Sequence, residues 1–347
     1  MPIKSTILSA SRSFNYFLNG NFKRWNRGSS KTSNGGLASS ADRWWFFSSA
    51  GKFDSMTGAR MLFTRGQSEV EGNPEFYIKF NINGPIGTIH HRIHKVETLS
   101  GKNVTLALYL RDEGASTTGP VNLIVRQKFG SGGSPTREVF NTNFSMPASW
   151  QKLIFNISIP NIAGQIIGTD NKDNLEIEIN TAWNAFSMAQ TLLIEGKESD
   201  PLFRLAAPSQ AAEDALLRGY YQKTYSDNID PLTFTSVGIK RGIVGKDGFF
   251  FQSVDFERMI LPPQVNIISP LVSGAAGLTR FGVTRTLGAG ANPPYDGSSS
   301  TPTIIVIAED IGVSSYSLRE DPSTPTLFLD GYEVYWHHQL DADRELV

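Results

Sequence analysis

At 347 residues, with 39% hydrophobic and 19% charged side chains, the chain has the composition of a folded protein with room for two domains. Its formal net charge of −1 supplies no long-range field toward nucleic acid or anionic lipid, and no apolar run approaches the ~18 residues of a membrane span. The absence of cysteine excludes disulfides, thiol catalysis and Cys-based zinc sites, and points to folding in a reducing cytosol.

Residues 1–13, MPIKSTILSASRS, lack the apolar core of a signal peptide. They read as a polar arm that frays in a monomer or docks on a neighbour in an assembly. A first domain, residues 14–205, opens with a short strand in FNYFLNGNFKRWNRGSS that breaks at Asn19, Gly20 and Asn21. After a Ser/Gly-rich loop comes ADRWWFF, with Trp44 and Phe46 on one parity and Trp45 and Phe47 on the other. Those four aromatics read as core, with one sticky face as the alternative.

Phe76, Ile78, Phe80 and Ile82 alternate with Tyr77, Lys79 and Asn81 until the turn at Asn83-Gly84-Pro85. Val104, Leu106, Leu108 and Leu110 give the most apolar strand face, which predicts an inner position. Val121, Leu123 and Val125 mark the next strand. Leu153 to Ile159, Leu175 to Ile179 and Ala189 to Ile194 supply three more, the second alternating with Glu176, Glu178 and Asn180. Period-two patterning describes antiparallel strands with one buried and one wet face, which must pack against a second sheet. About eight strands in this span fit an antiparallel jelly-roll β-sandwich.

A helical connector, residues 206–228, carries QAAEDALLRGYYQ behind Ser209 as N-cap, with Ala212, Leu216 and Tyr220 on one side. Residues 229–347 read as a second, smaller β-sandwich, with strands at 249–256, 264–268, 303–308 and 330–340. Met259 to Pro263 and Gly274 to Ser300 read as loops, and the charged end Asp341 to Glu345 as solvated. The fold class is therefore all-β, two sandwiches joined by a short helix.

Few residues suggest chemistry. Glu176 and Glu178 lie about 7 Å apart on one strand face, near the separation of an inverting glycosidase, yet such acids converge from different strands in a cleft. They read as a wet face. His90, His91 and His94, and His337 with His338, lack the third ligand that zinc needs and read as exposed strand histidines. No nucleophile elbow, Walker loop or dinucleotide fingerprint occurs, so no catalytic or metal residue is assigned, no cofactor is expected and the chain reads as no enzyme. The aromatic rings are the remaining signal. Trp183, in TAWNAF, and Tyr295, in NPPYDG, are the candidate carbohydrate-binding residues, with core packing or an oligomer interface as the other readings of the same rings.

The segments NGNFKRWNRGSS with ADRWWFF, SGKNVTLALYLR, SWQKLIFNISIP with LLIEGKESDPLFRL, RGYYQKTY, VDFERMILPPQV and the terminal LDADREL occur in one order along nearly the whole chain. That order resembles tail-fibre or receptor-binding proteins of tailed phages, whose first domain is similar to a carbohydrate-binding-module jelly roll. The resemblance implies a non-enzymatic virion component made in the host cytoplasm. It implies a homo-oligomer, a trimer, with other virion proteins and host-surface polysaccharide as partners, and neither nucleic acid nor membrane insertion. Jelly rolls of this type often hold calcium; Asn19 and Asn21 offer oxygens, but Lys23 stands where an acid is expected, which leaves calcium open. No long shaft or coiled coil is visible. The alternative is a capsid decoration, head-fibre or adaptor protein without glycan binding; a sugar-binding module attached to a hydrolase is the third reading.

Overall fold

The computed structural model describes residues 14–39, 41–48, 54–115, 119–225, 240–243, 251–268, 282–285, 304–307, 311–320 and 332–342. Twelve strands precede the helix: β1 (Ser30–Ser33), β2 (Ala38–Ser39), β3 (Trp45–Ser48), β4 (Ser55–Leu62), β5 (Phe76–Asn83), β6 (Gly87–His94), β7 (Asn103–Asp112), β8 (Val121–Lys128), β9 (Arg137–Phe144), β10 (Gln151–Ser158), β11 (Asn174–Thr181) and β12 (Ala185–Glu195). They form two six-stranded antiparallel sheets, ordered β1-β4-β5-β12-β7-β10 and β2-β3-β6-β11-β8-β9. Parity sends Val104, Leu106, Leu108 and Leu110 of one sheet and Leu175, Ile177 and Ile179 of the other into a common core. Trp44 and Phe46 join it. The sandwich is as the alternation predicts.

The expectation of about eight strands falls short of these twelve. β1, β4 and β9 lie at or next to sheet edges, and β1 and β9 carry polar residues on both parities, so period-two hydrophobicity is faint there. The expected opening strand is absent. Residues 14–18 dock on β12 as irregular backbone: Tyr16 N–H donates to the Leu193 carbonyl, and the Asn15 amide donates to the Thr191 carbonyl while its oxygen accepts the Leu193 N–H. The register of β12 shifts between Ala189 and Leu192, with Gln190 at φ 41°, and this bulge receives Gly20. A Cβ on Gly20 would lie 2.3 Å from the Thr191 carbonyl oxygen.

Helix α1 (Gln210–Arg218) is capped by Ser209, whose hydroxyl accepts the Ala212 N–H. Its inward residues are Glu213 and Leu217, while Leu216 is 49% exposed. The expected Ala212–Leu216–Tyr220 side is therefore not the buried one. The Glu213 carboxylate accepts the backbone N–H of Asn19, and that bond draws the polar side of the helix inward.

Eight further strands follow: β13 (Tyr221–Lys223), β14 (Lys240–Ile243), β15 (Phe251–Asp255), β16 (Gln264–Ile268), β17 (Gly282–Arg285), β18 (Ile304–Ile307), β19 (Ser315–Glu320) and β20 (Tyr332–Asp341). β20 pairs with β13, β14, β16 and β17, and β15-β19-β18 form a second sheet. Val254, Tyr316, Leu318, Trp336 and Leu340 make their shared core. The expected strands at 249–256, 264–268, 303–308 and 330–340 are present within a residue or two. Of the expected loop 274–300, residues 282–285 are strand and the remainder lies outside the described residues, as do Tyr295 and residues 1–13.

Of the segment expected to be solvated, Asp341 and Ala342 are buried instead, and residues 343–345 lie outside the described residues. Both Asp341 oxygens are held by Arg27 at 2.8 and 3.2 Å. The Arg27 guanidinium also lies 4.1 Å from the Tyr221 ring centroid and 5.3 Å from that of Trp45. One arginine thus clamps β20 and β13 against β3.

Candidate functional site

The side chains of β3, β6, β11, β8 and β9 that point away from the core form an ordered face. Register places Phe47, Thr88, Asn180, Asn122 and Asn143 in one row across it. Trp45, His90, Glu178, Ile124 and Asn141 make the next, and Arg92, Glu176, Arg126 and Glu138 the third. Lys128 and His94 flank Asn174 in the fourth. The first row is an amide ladder. Thr88 donates to the Asn180 oxygen at 2.7 Å, and the Asn122 amide donates to the Asn141 and Asn143 oxygens at 2.7 and 2.9 Å.

The second and third rows are ionic and deep. Glu176, with its side chain 1% exposed, accepts Arg92 Nε at 2.6 Å on Oε2 and Lys128 Nζ at 2.7 Å on Oε1. Glu178 accepts Arg126 Nη1 at 2.5 Å on Oε2 and the Asn180 amide at 2.6 Å on Oε1. Burial pushes the Glu176 carboxyl up, but Arg92, the Lys128 bond and the Lys128 charge outweigh it and hold the group below the usual carboxylate range. Burial pushes His90 down to about 4 against the opposing pull of Glu176, so its ring is neutral at pH 7. The ring stacks on Phe47 at 5.5 Å and 11°.

The expectation of a wet strand face at Glu176 and Glu178 is thus corrected: both are buried, because Arg92, Arg126 and Lys128 reach across from flanking strands and cover them. The expectation of exposed histidines is corrected for His90, His91, His337 and His338, while His94 is partly exposed. His91 packs between Phe17 and Trp44 in the core, and His337 and His338 are buried on β20. His338 Nδ1 meets the Tyr316 hydroxyl at 2.7 Å.

The face is closed on one flank and open on the other. Trp45 is buried beneath Arg27, whereas Asn141, Asn143 and Glu138 are exposed. At the open end the amide row runs into a cleft of about 480 Å³ lined by Gly119, Pro120, Asn143, Phe144, Ser145 and Trp183. Trp183 stands in the loop between β11 and β12, half-buried, with its N–H donated to the Gly119 carbonyl and its backbone N–H to Thr181. The ring is fixed while one side borders open space. A Cβ on Gly119 would lie 2.8 Å from that of Ala182, so glycine there lets the two loops close on the indole. The cleft offers an oriented aromatic face, an amide and a hydroxyl, the mixture that holds polar rings with apolar faces.

Of the two residues picked from the sequence, Trp183 lines this cleft, and Tyr295 falls outside the described residues. From the sequence no role is assigned to Asn122, Arg126 and Lys128, whose parity opposite Val121, Leu123 and Val125 is the available signal, nor to Asn141 and Asn143 on the edge strand β9. His90, Glu176 and Glu178 bring one ligand atom each within 4.8 Å of one another. They do not fit a metal ion: every carboxylate oxygen already holds a donor, and three fixed cations surround the group. Nor does Asn19 fit calcium. Its Oδ1 accepts the Arg24 N–H, and its Nδ2 donates to the Arg24 and Asp42 carbonyls, so an amide donor occupies the gap a cation would fill.

No family model matches the chain, and no curated protein does. Among solved structures, the enzymatically active domain of tailspike protein 4 of bacteriophage CBA120 is 10% identical, aligning over 53% of this chain and 22% of its own length at a TM-score of 0.35. A CBM4 module is 16% identical over 51% of this chain and 98% of its own, TM-score 0.31. The CBM22-1 xylan-binding domain from Paenibacillus barcinonensis is 11% identical over 54% and 97%, TM-score 0.32. Overlaps this partial leave the function to be read from the chain's own residues.

Proposed function

We propose that this chain is a non-enzymatic surface fibre or receptor-binding protein of a phage virion, and that its first sandwich holds host-surface glycan. The observation that carries the glycan reading is the Trp183 cleft: an indole pinned by its own N–H, beside Phe144, Asn143 and Ser145, opening onto a ladder of amides. The resemblance of the ordered sequence segments to tail-fibre proteins is the support for the virion assignment, and with it for a homotrimer bound to other virion proteins.

The acidic residues support binding over bond-breaking. A general acid must hold a proton near neutral pH, and Glu176 is held below the usual range by its cations. Glu178 has both oxygens bonded to Arg126 and Asn180. Neither is placed to protonate a leaving group.

The test is retention of purified protein on host cells and on extracted surface polysaccharide. Trp183→Ala is expected to weaken retention about tenfold, ~1.4 kcal/mol, with circular dichroism confirming that the fold is retained. Saturable binding to purified capsids with no retention on cells or polysaccharide would favour the decoration or adaptor role instead. Release of reducing sugar would overturn the non-enzymatic reading, and a single-chain mass by light scattering would remove the trimer.

A further inference from the structure

We infer that the outer face of β6, β11 and β8 is built for an acidic saccharide, one bearing carboxylate or phosphate groups, received by Arg126 and Lys128 above a floor of carboxylates that are already filled. The inference rests on the glycan reading of the neighbouring cleft and adds the chemical class of the ligand.

Depth separates the charges. The side chains of Glu176 and Glu178 are 1% and 12% exposed, whereas those of Arg126 and Lys128 are 24% and 33% exposed. An approaching molecule meets the cations first. Each oxygen of the two buried carboxylates already holds a donor: Arg92 and Lys128 bond those of Glu176, and Arg126 and Asn180 bond those of Glu178. The cations do have donors to spare. A guanidinium carries five N–H groups and an ammonium three, and each of these side chains spends about one on the carboxylates. Arg92 Nη1 is buried with no acceptor at all. An unfilled donor on a buried cation is costly, and its positive field adds to that of the more exposed Arg126 and Lys128 above it.

The surplus is therefore of cationic donors, which selects an anion and rejects a metal. Among the described residues, Glu138 is the further acid that pairs with Arg126 outside the buried carboxylates. It lies 3.8 Å from Arg126 Nη2 with its side chain 46% exposed, where water weakens the pairing and an incoming oxyanion can displace it. Geometry also sets the direction of the chain. From Asn122, beside the Trp183 cleft, β8 runs six residues to Lys128, about 20 Å. A saccharide seated on Trp183 and laid along β8 would carry its charged groups to Arg126 and Lys128. Arg92, beneath them, acts as a positioning residue through Glu176.

The experiment is full-length protein on a glycan array that prints uronate, sialate and sugar-phosphate chains beside their methyl-esterified or dephosphorylated counterparts. Retention of acidic members, with at least a tenfold loss on neutralising them, is the expected result; which acidic arm is retained identifies the anion. Lys128→Gln should lower that retention about tenfold, Lys128→Arg should preserve it, and Lys31→Gln on the opposite sheet should leave it unchanged. Because Arg126→Gln alone strands a buried carboxylate, the paired change Arg126→Gln with Glu178→Gln tests Arg126 in a neutral, hydrogen-bonded floor, with circular dichroism confirming the fold. Equal retention of acidic and neutral members, or indifference to Lys128→Gln, would overturn acidic recognition while leaving glycan binding in place. No retention of any saccharide would remove the glycan reading and this inference together.

Discussion

A carboxylate can stay ionised in a protein interior only when fixed donors replace its water, and Glu176 meets that condition with Arg92 on one oxygen and Lys128 on the other. Removing it strands charge. Glu176→Ala should destabilise the sandwich by about 3–5 kcal/mol, read as a lower urea midpoint with unchanged slope. Lys128, a third exposed, should cost much less, so Lys128→Gln serves as a binding probe. Trp183 belongs to the same scale. Its N–H fixes the ring with one side on the core and the other on the cleft, so its loss should register in glycan retention and, more modestly, in stability. Its place in a polar loop made the partial exposure of Trp183 legible in the sequence. Arg126 and Lys128 were not, because a cation on the outer parity of a strand looks the same whether it points to solvent or to a carboxylate on the next strand.

Elements follow local rules where they are central and lose them at edges. β7 and β11 have partners on both sides, and their hydrophobic parity is unmistakable. β1 and β9 are edges with mixed residues, and only pairing defines them. The bulge of β12 is the element that organises the N-terminal segment, since Gln190 at φ 41° turns the Thr191 backbone toward Gly20 and Asn15. Gly20→Ala should therefore cost about 1–3 kcal/mol through overpacking, visible in thermal melts. At the helix, Ser209→Ala should cost about 1 kcal/mol by removing the acceptor for the Ala212 N–H. The N-cap was readable from residue type. The inward face of the helix was not, since Glu213 is drawn in by a backbone N–H some two hundred positions away in sequence.

For the whole molecule, Arg27 joins the two sandwiches through Asp341, Tyr221 and Trp45. Arg27→Ala should remove the paired bonds to Asp341 and the ring contacts to Tyr221 and Trp45, and calorimetry should then show the second unit melting ahead of the first. The pH profile is also collective. Burial lowers His90 to about 4 and His338 to about 3, and drives His91 well below its ordinary value. Their folded pKa values lie below the unfolded value of about 6.5, so the unfolded chain binds more protons across that interval. Stability should be full above about pH 6.5 and fall steadily as pH drops toward 4. A melting temperature flat from pH 7 to 4.5 would contradict that placement of the histidines.

Alternating side chains by themselves determined that this protein is layered sheet, where its central strands lie and where its helix begins, because backbone pleat and capping are local. Tertiary structure alone decided which outward faces are wet. Glu176 is as polar as any exposed residue, and it is buried only because β6 and β8, remote in sequence, lay Arg92, Arg126 and Lys128 over it. Burial is a property of neighbours across the sheet, and a single strand does not carry the identity of its neighbours.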